Sequence, residues 1–135
     1  MVAGEASGDL HGSNLIRNLS LHDKEAKFRC FGGDLMKNAG AEIAFHYKEM
    51  SFIGIMEVLK NIRTINHTLQ KCKQDILEYN PDVVIMIDYP GFNLKIAEFA
   101  KSIGFKTIYY IAPKVWASRK SRIKRIRRSV DKLYV

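Results

Sequence analysis

The stretch 82-DVVIMIDYPGFN-93 decides how the chain is read. Five successive apolar residues, Val83 to Ile87, fit a strand buried on both faces, as in a parallel sheet. Asp88 falls at the carboxyl end of that strand, where an α/β sheet places its ligands. The residues that follow, Leu94 to Ile103, read as a helix closed by Gly104.

Working outward, the same strand, loop and helix unit recurs. At the start, 1-MVAGEASGDLHG-12 is a glycine loop with only Met1, Val2 and Ala3 left to form the strand before it. Leu10 to Leu21 then reads as a helix, with Ser7 or Asp9 available to cap it. In 26-AKFRCFGGDLMKNAG-40, Phe28, Cys30 and Phe31 suggest a short strand, Gly32 and Gly33 a tight turn, and Asp34 the start of a helix ended by Gly40. From Phe45 the pattern gives a short loop and then a long helix, whose Val58, Ile62, Ile65, Leu69, Cys72 and Ile76 recur every three or four residues until Pro81. Beyond Gly104, 106-KTIYYIA-112 is another strand and Ser118 to Lys132 a basic helix with Ile123, Ile126, Val130 and Leu133 inward. The closing KLYV begins a further strand. The alternation predicts an α/β fold, a doubly wound parallel sheet. Its strand-end loops, Gly4 to Asp9, Gly32 to Asp34, Asp88 to Asn93 and Pro113 to Ser118, converge on one rim.

Composition narrows the function classes. The 135 residues carry a net charge of +8, and it is localised. Lys114 to Lys132 holds nine bases and one acid, while the remaining 116 residues hold 13 of each. Such a patch suits an anionic partner: nucleic acid, a phosphorylated ligand or an anionic membrane surface. No run approaches the roughly 18 apolar residues of a membrane span, and no secretory signal opens the chain, so a cytosolic setting is expected. Cys30 and Cys72 lie far apart without metal or disulfide spacing, and reduced, packed thiols are expected. His11, His22, His46 and His67 show no ligand spacing and read mostly as solvated surface.

The rim supplies the candidate site. The opening loop lacks both the dinucleotide fingerprint and the P-loop lysine. Its glycines permit close approach, its amides can bind an anion or a sugar oxygen, and Glu5 and Asp9 can accept hydroxyl hydrogen bonds. Asp9 has an alternative role as a helix cap. A partly desolvated carboxylate at Asp88 suits a general base acting on a hydroxyl, or a structural ligand of nearby loop amides. Trp116 beside Pro113 is either a binding platform or an anchor for the basic helix.

Taken in order, VAGEASGD, the paired glycines 32 and 33, MSFIGIMEVL, PDVVIMIDYPGFN and YYIAPKVWASRKSRIKRI resemble the lipid-A-disaccharide synthase family over the whole chain. The resemblance implies the amino-terminal, acceptor-side Rossmann-like domain of a two-domain GT-B enzyme, with its first strand truncated and the carboxyl-terminal UDP-sugar domain absent. A chain lacking that half is expected to be inactive alone. The implied reaction is an inverting, metal-free and cofactor-free glycosyl transfer. It joins a UDP-linked diacylglucosamine donor to a diacylglucosamine 1-phosphate acceptor, giving lipid A disaccharide 1-phosphate and UDP. On this resemblance Asp88 is the catalytic base or an orienting carboxylate. Glu5, Ser7, Gly8, Asp9, Gly32, Gly33, Asn93, Pro113 and Trp116 are substrate-binding. A peripheral position on the inner face of the inner membrane is implied as well. There Arg119, Lys120, Arg122, Lys124, Arg125, Arg127 and Arg128 would meet an anionic surface. Gly91 and Ser118 stand where many relatives carry Asp and Trp. Competing readings are another GT-B transferase, a sugar-nucleotide epimerase, or a basic nucleic-acid module, which the lack of interleaved aromatics disfavours.

Overall fold

The computed structural model describes residues 1–51, 62–112 and 120–135. Val58, Pro113, Trp116, Ser118 and Arg119, singled out above, lie outside the described residues, as does the side chain of Lys120. Six strands alternate with helices: β1 (Val2–Ala3), α1 (Ala6–His22), β2 (Arg29–Gly32), α2 (Asp34–Asn38), β3 (Glu42–His46), α3 (Tyr47–Ser51), α4 (Ile62–Tyr79), β4 (Val83–Ile87), α5 (Pro90–Ser102), β5 (Lys106–Tyr110), α6 (Lys120–Ser129) and β6 (Lys132–Tyr134).

All neighbouring strands run parallel in the order β3-β2-β1-β4-β5-β6. This is the doubly wound arrangement, and its order reverses between β1 and β4. Side-chain alternation along the central strands feeds two cores. Val2, Phe31, Val84, Met86 and Tyr109 pack against Leu69, Cys72 and Ile76 of α4 and Leu94, Ile96 and Ala97 of α5. On the opposite face, Ala3, Cys30, Ile85 and Ile87 pack against Ile16 of α1 and Met36 of α2. A strand that buries both faces favours apolar residues at nearly every position, which is why β4 reads as an unbroken apolar run. Both cysteines are free and buried. Burial disfavours the thiolate, raising the Cys30 pKa and pushing Cys72 up to about 12. Gly40 and Gly104, read as helix stops, take φ of +105° and +93°, a conformation costly for other residues.

Several boundaries differ from the sequence reading. The segment entering Phe45 is not a loop: Glu42–His46 is edge strand β3, followed by the single turn α3. Its pairing depends on distant partners, through an Arg29–Glu42 ion pair of 2.6 Å and stacking of Phe31 on Phe45 at 5.5 Å. Local periodicity carries neither. Helix α1 starts at Ala6 rather than Leu10. Helix α6 ends at Ser129 rather than Lys132, because Val130 and Asp131 lead into β6. Ile126 and Val130 pack on the core as expected, but Ile123 is 39% exposed and Leu133 46%.

Asp131, between α6 and β6, ties that junction to α5 and β5. Its carboxylate accepts from the amide and hydroxyl of Thr107 on β5, at 2.9 and 3.0 Å, and from Lys101 of α5. The Lys101 contact, followed by the Thr107 bonds, lowers the Asp131 pKa to about 2. A depressed carboxylate pKa contributes stability above its unfolded value near 4, and this contribution is lost as pH falls toward 2. Urea unfolding of the 135-residue chain should therefore show stability falling between about pH 4 and pH 2, with a shallower fall in Asp131→Asn. An equal slope in both proteins would exclude Asp131 as a source.

Candidate active site

The carboxyl ends of five adjacent strands fall in one register row. Val2 is paired with Phe31, Gly32 with His46, Ala3 with Ile87, and Ile87 with Tyr110. One step further along each strand come Tyr47, Gly33, Gly4, Asp88 and Ile111. The row spans the β1/β4 switch point, where an open α/β sheet leaves its ligand crevice. A cavity of about 600 Å³ lies at the other end of the sheet, lined by Met1, Leu19, Phe28, Ile76 and Val83 among others. None of the strand-end carboxylates borders it.

Backbone conformation along the row is unusual. Asp88, Tyr89 and Ile111 have φ of +46°, +45° and +63°, none of them glycine. Such residues cost on the order of 1–3 kcal/mol each and persist only where their surroundings impose them. At Asp88 the constraints are explicit. Its amide donates to the Tyr110 carbonyl at 3.1 Å. Its own carbonyl accepts from Tyr109 Oη at 2.5 Å and Asn93 Nδ2 at 2.8 Å. Burial, reinforced by the Asp88 charge, raises the Tyr109 pKa, so this phenol remains a donor. The Asp88 carboxylate is half-buried, and among the described residues no donor engages it.

The other sequence candidates fall into two groups. Glu5 and Ser7 are exposed at the start of α1, with Ser7 Oγ donating to Glu5 Oε1 at 2.7 Å. Asp9 and Asn93 are buried, at 2% and 0% exposure. Neither Ser7 nor Asp9 caps α1; Glu5 occupies that position, without a side-chain bond. Asp9 instead reaches across to the next unit. Its Oδ1 accepts from the amides of Gly33 (2.8 Å) and Met36 (3.0 Å), and its Oδ2 from Leu35 (3.1 Å), so it caps α2. Asn93 Nδ2 donates to the carbonyls of Val2, Ile87 and Asp88, fastening β1 to β4. Both residues act by positioning the rim's backbone. The glycines serve close packing: a Cβ on Gly8 would lie 3.1 Å from the Ala3 Cβ, and one on Gly32 would lie 2.5 Å from Met36 Sδ.

Sequence reasoning missed two tyrosines. A Cβ on Gly4 would fall 2.3 Å from Tyr89 Cδ1, and one on Gly33 would fall 2.3 Å from Tyr47 Cε1. The rings lie on the two glycines. A third missed feature is Asp34, with Lys48 Nζ and His46 Nε2 each 3.4 Å from its carboxylate. Its contact with Lys48 holds Asp34 below the usual carboxylate range. Nothing in the local sequence marks these contacts, since the partners stand 10 or more positions apart.

On the basic helix, Arg125 is tied to Glu98 of α5 by Nε–Oε1 and Nη2–Oε2 contacts of 2.6 and 2.8 Å. Its charge is thus paired within the domain. Lys124, Arg127 and Arg128 are exposed and Arg122 is half-buried. Among the described residues no group of three or more His, Cys, Asp or Glu side chains could hold a metal ion, and no helix is long and apolar enough to cross a membrane.

A family model described as Lipid-A-disaccharide synthetase matches residues 1–135. The chain belongs to this family. Among similar curated proteins, the lipid-A-disaccharide synthase of Trichlorobacter lovleyi is 44% identical over 135 residues, covering 100% of this chain and 35% of the relative. That of Geobacter sulfurreducens is also 44% identical, with 35% of its length covered. The Coxiella burnetii (strain Dugway 5J108-111) protein is 40% identical, with 36% covered. The chain thus spans about a third of the length of these relatives.

The Asp9 bridge is open to a direct test. Asp9→Ala strands three amide donors near the base of the site, two of them in buried hydrogen bonds. It should lower the unfolding free energy by about 2–4 kcal/mol, as expected when buried donors lose a charged acceptor. Chemical denaturation of the two chains measures the difference, and a loss below about 1 kcal/mol would refute the bridging role.

Proposed function

We propose that this chain forms the acceptor-side domain of a GT-B lipid-A-disaccharide synthase. A second Rossmann-like domain, beyond these residues, would hold most of the UDP group. The observation that carries this reading is the Asp88 carboxylate, held at the β1/β4 switch point by a backbone fixed from three sides. Membership of the family across the whole chain supplies the reaction class.

In this reaction a hydroxyl of diacylglucosamine 1-phosphate attacks the anomeric carbon of a UDP-linked diacylglucosamine. The bond to UDP breaks with inversion, and the hydroxyl proton passes to Asp88. A base is needed because a neutral sugar hydroxyl is a poor nucleophile. Glu5 and Ser7, exposed on the same rim, would accept or donate hydrogen bonds to the acceptor's polar groups. Asp9, Gly33 and Asn93 hold the floor beneath it.

Both substrates are lipids, so the enzyme works at the membrane surface, peripherally on the cytoplasmic face of the inner membrane. Helix α6 contributes Arg122, Lys124, Arg127 and Arg128 to an anionic surface, with Ile123 exposed among them. Each base near such a surface contributes on the order of 1 kcal/mol, screened by salt.

Two experiments on the full-length enzyme test the reading. Asp88→Asn should lower kcat by roughly 100-fold or more while the protein stays folded, as befits loss of a positioned base. A near-wild-type rate at saturating substrate would remove Asp88 from the mechanism. Separately, replacing Arg122, Lys124, Arg127 and Arg128 with Gln should weaken co-sedimentation with anionic but not neutral vesicles. Replacing Arg125 alone should chiefly lower stability, because its charge pairs with Glu98. Vesicle binding that ignores the four-residue change would assign the patch to solubility.

A further inference from the structure

Tyr89 has three features that the proposed base does not explain. Its ring lies on the Cα of Gly4, so close that a methyl group there would come within 2.3–2.7 Å of Cδ1, Cε1 and Cγ. Its backbone is left-handed, at φ +45° and ψ 60°, immediately before Pro90, a position that ordinarily favours extended conformations. It is also 36% exposed, although Phe92 lies 6.4 Å away, centroid to centroid, and is itself buried.

Together these features describe a ring fixed from below and open above. Gly4 admits the ring only because it lacks a Cβ. The left-handed pair Asp88 and Tyr89 puts a carboxylate residue and an aromatic residue next to each other just beyond the end of β4. A strained turn of this kind is retained where the geometry it imposes matters. An aromatic face beside a carboxylate matches the two-sided chemistry of a pyranose. Its axial C–H bonds form an apolar face that stacks on a ring, and its hydroxyls bond to acids.

We propose that Tyr89 is the stacking platform for the pyranose ring of the acceptor, positioning its hydroxyl at Asp88. The assignment deepens the transferase reading and rests on it for the identity of the sugar. Tyr89 is a positioning residue, and its contribution resides in the ring face rather than the phenol. Gly4 is its seat: an alanine there would displace the ring without straining the backbone, since the Gly4 φ lies outside the left-handed range.

The test uses the full-length enzyme and a short-chain diacylglucosamine 1-phosphate. Two readouts are taken, steady-state transfer and equilibrium binding of this acceptor by saturation-transfer NMR. Tyr89→Leu should raise the acceptor KM and Kd about tenfold, in keeping with loss of one aromatic contact, while the donor KM stays within about twofold. Tyr89→Phe and Tyr89→Trp should remain near wild type. Gly4→Ala should reproduce the Leu phenotype, and the double variant should be no worse than either single one, because both remove the same contact. Thermal unfolding identifies any variant that has lost its fold, and Gly4→Ala and Tyr89→Phe then carry the comparison. Unchanged acceptor binding in Tyr89→Leu, or a Phe variant as impaired as Leu, would overturn the platform. A wild-type enzyme without transfer would sink the transferase reading, whereas the binding series would still decide on Tyr89.

Discussion

A parallel sheet ends in backbone groups that have run out of ladder partners, and at the edge of a buried core each must be satisfied. Here two buried side chains do so. Asp9 leaves its own helix to accept from Gly33, Leu35 and Met36, while Asn93 turns back to donate to Val2, Ile87 and Asp88. The first ties the β1 unit to the β2 unit, and the second ties β1 to β4. β1, beside the switch point, is thus tied on both sides by side-chain hydrogen bonds.

The strained backbone lies just beyond these ties. Asp88, Tyr89 and Ile111 keep left-handed backbones that a looser rim would relax, and the Tyr109 phenol and the Asn93 amide hold the Asp88 carbonyl in place. The outcome is a carboxylate not engaged by the described groups around it, beside an aromatic ring seated on a glycine. In the proposed reaction this division of labour is useful. Asp9 and Asn93, which hold the backbone, are buried, although Asn93 Oδ1 has no partner among the described residues, whereas Asp88 and Tyr89 are at least partly exposed.

Charge is distributed by a similar logic. The basic excess belongs to one segment, yet the structure separates its members by role. Arg125 is paired across helices with Glu98, which keeps that carboxyl below its usual pKa range, whereas Lys124, Arg127 and Arg128 point to solvent. A single count of bases overstates what a membrane surface would feel.

The sequence by itself determined the layering. A five-residue apolar run, glycines after strands and helices, and apolar residues every three or four positions are local consequences of burial and backbone geometry, and they sufficed to expect the doubly wound sheet and to select Asp88. The lipid-A-disaccharide synthase motifs were legible for the same reason, as ordered short strings. Edge strand β3 was not, because Arg29–Glu42 and Phe31–Phe45 define it across the sheet. Nor was the exposure of Ile123, whose spacing alone suits the inward face. Only the tertiary structure showed that Asp9 caps the helix after its own, or that Gly4 and Gly33 are small because Tyr89 and Tyr47 rest on them. Those pairs meet through strand order and register, which bring residues 14 to 85 positions apart into contact. No local pattern encodes such a distance.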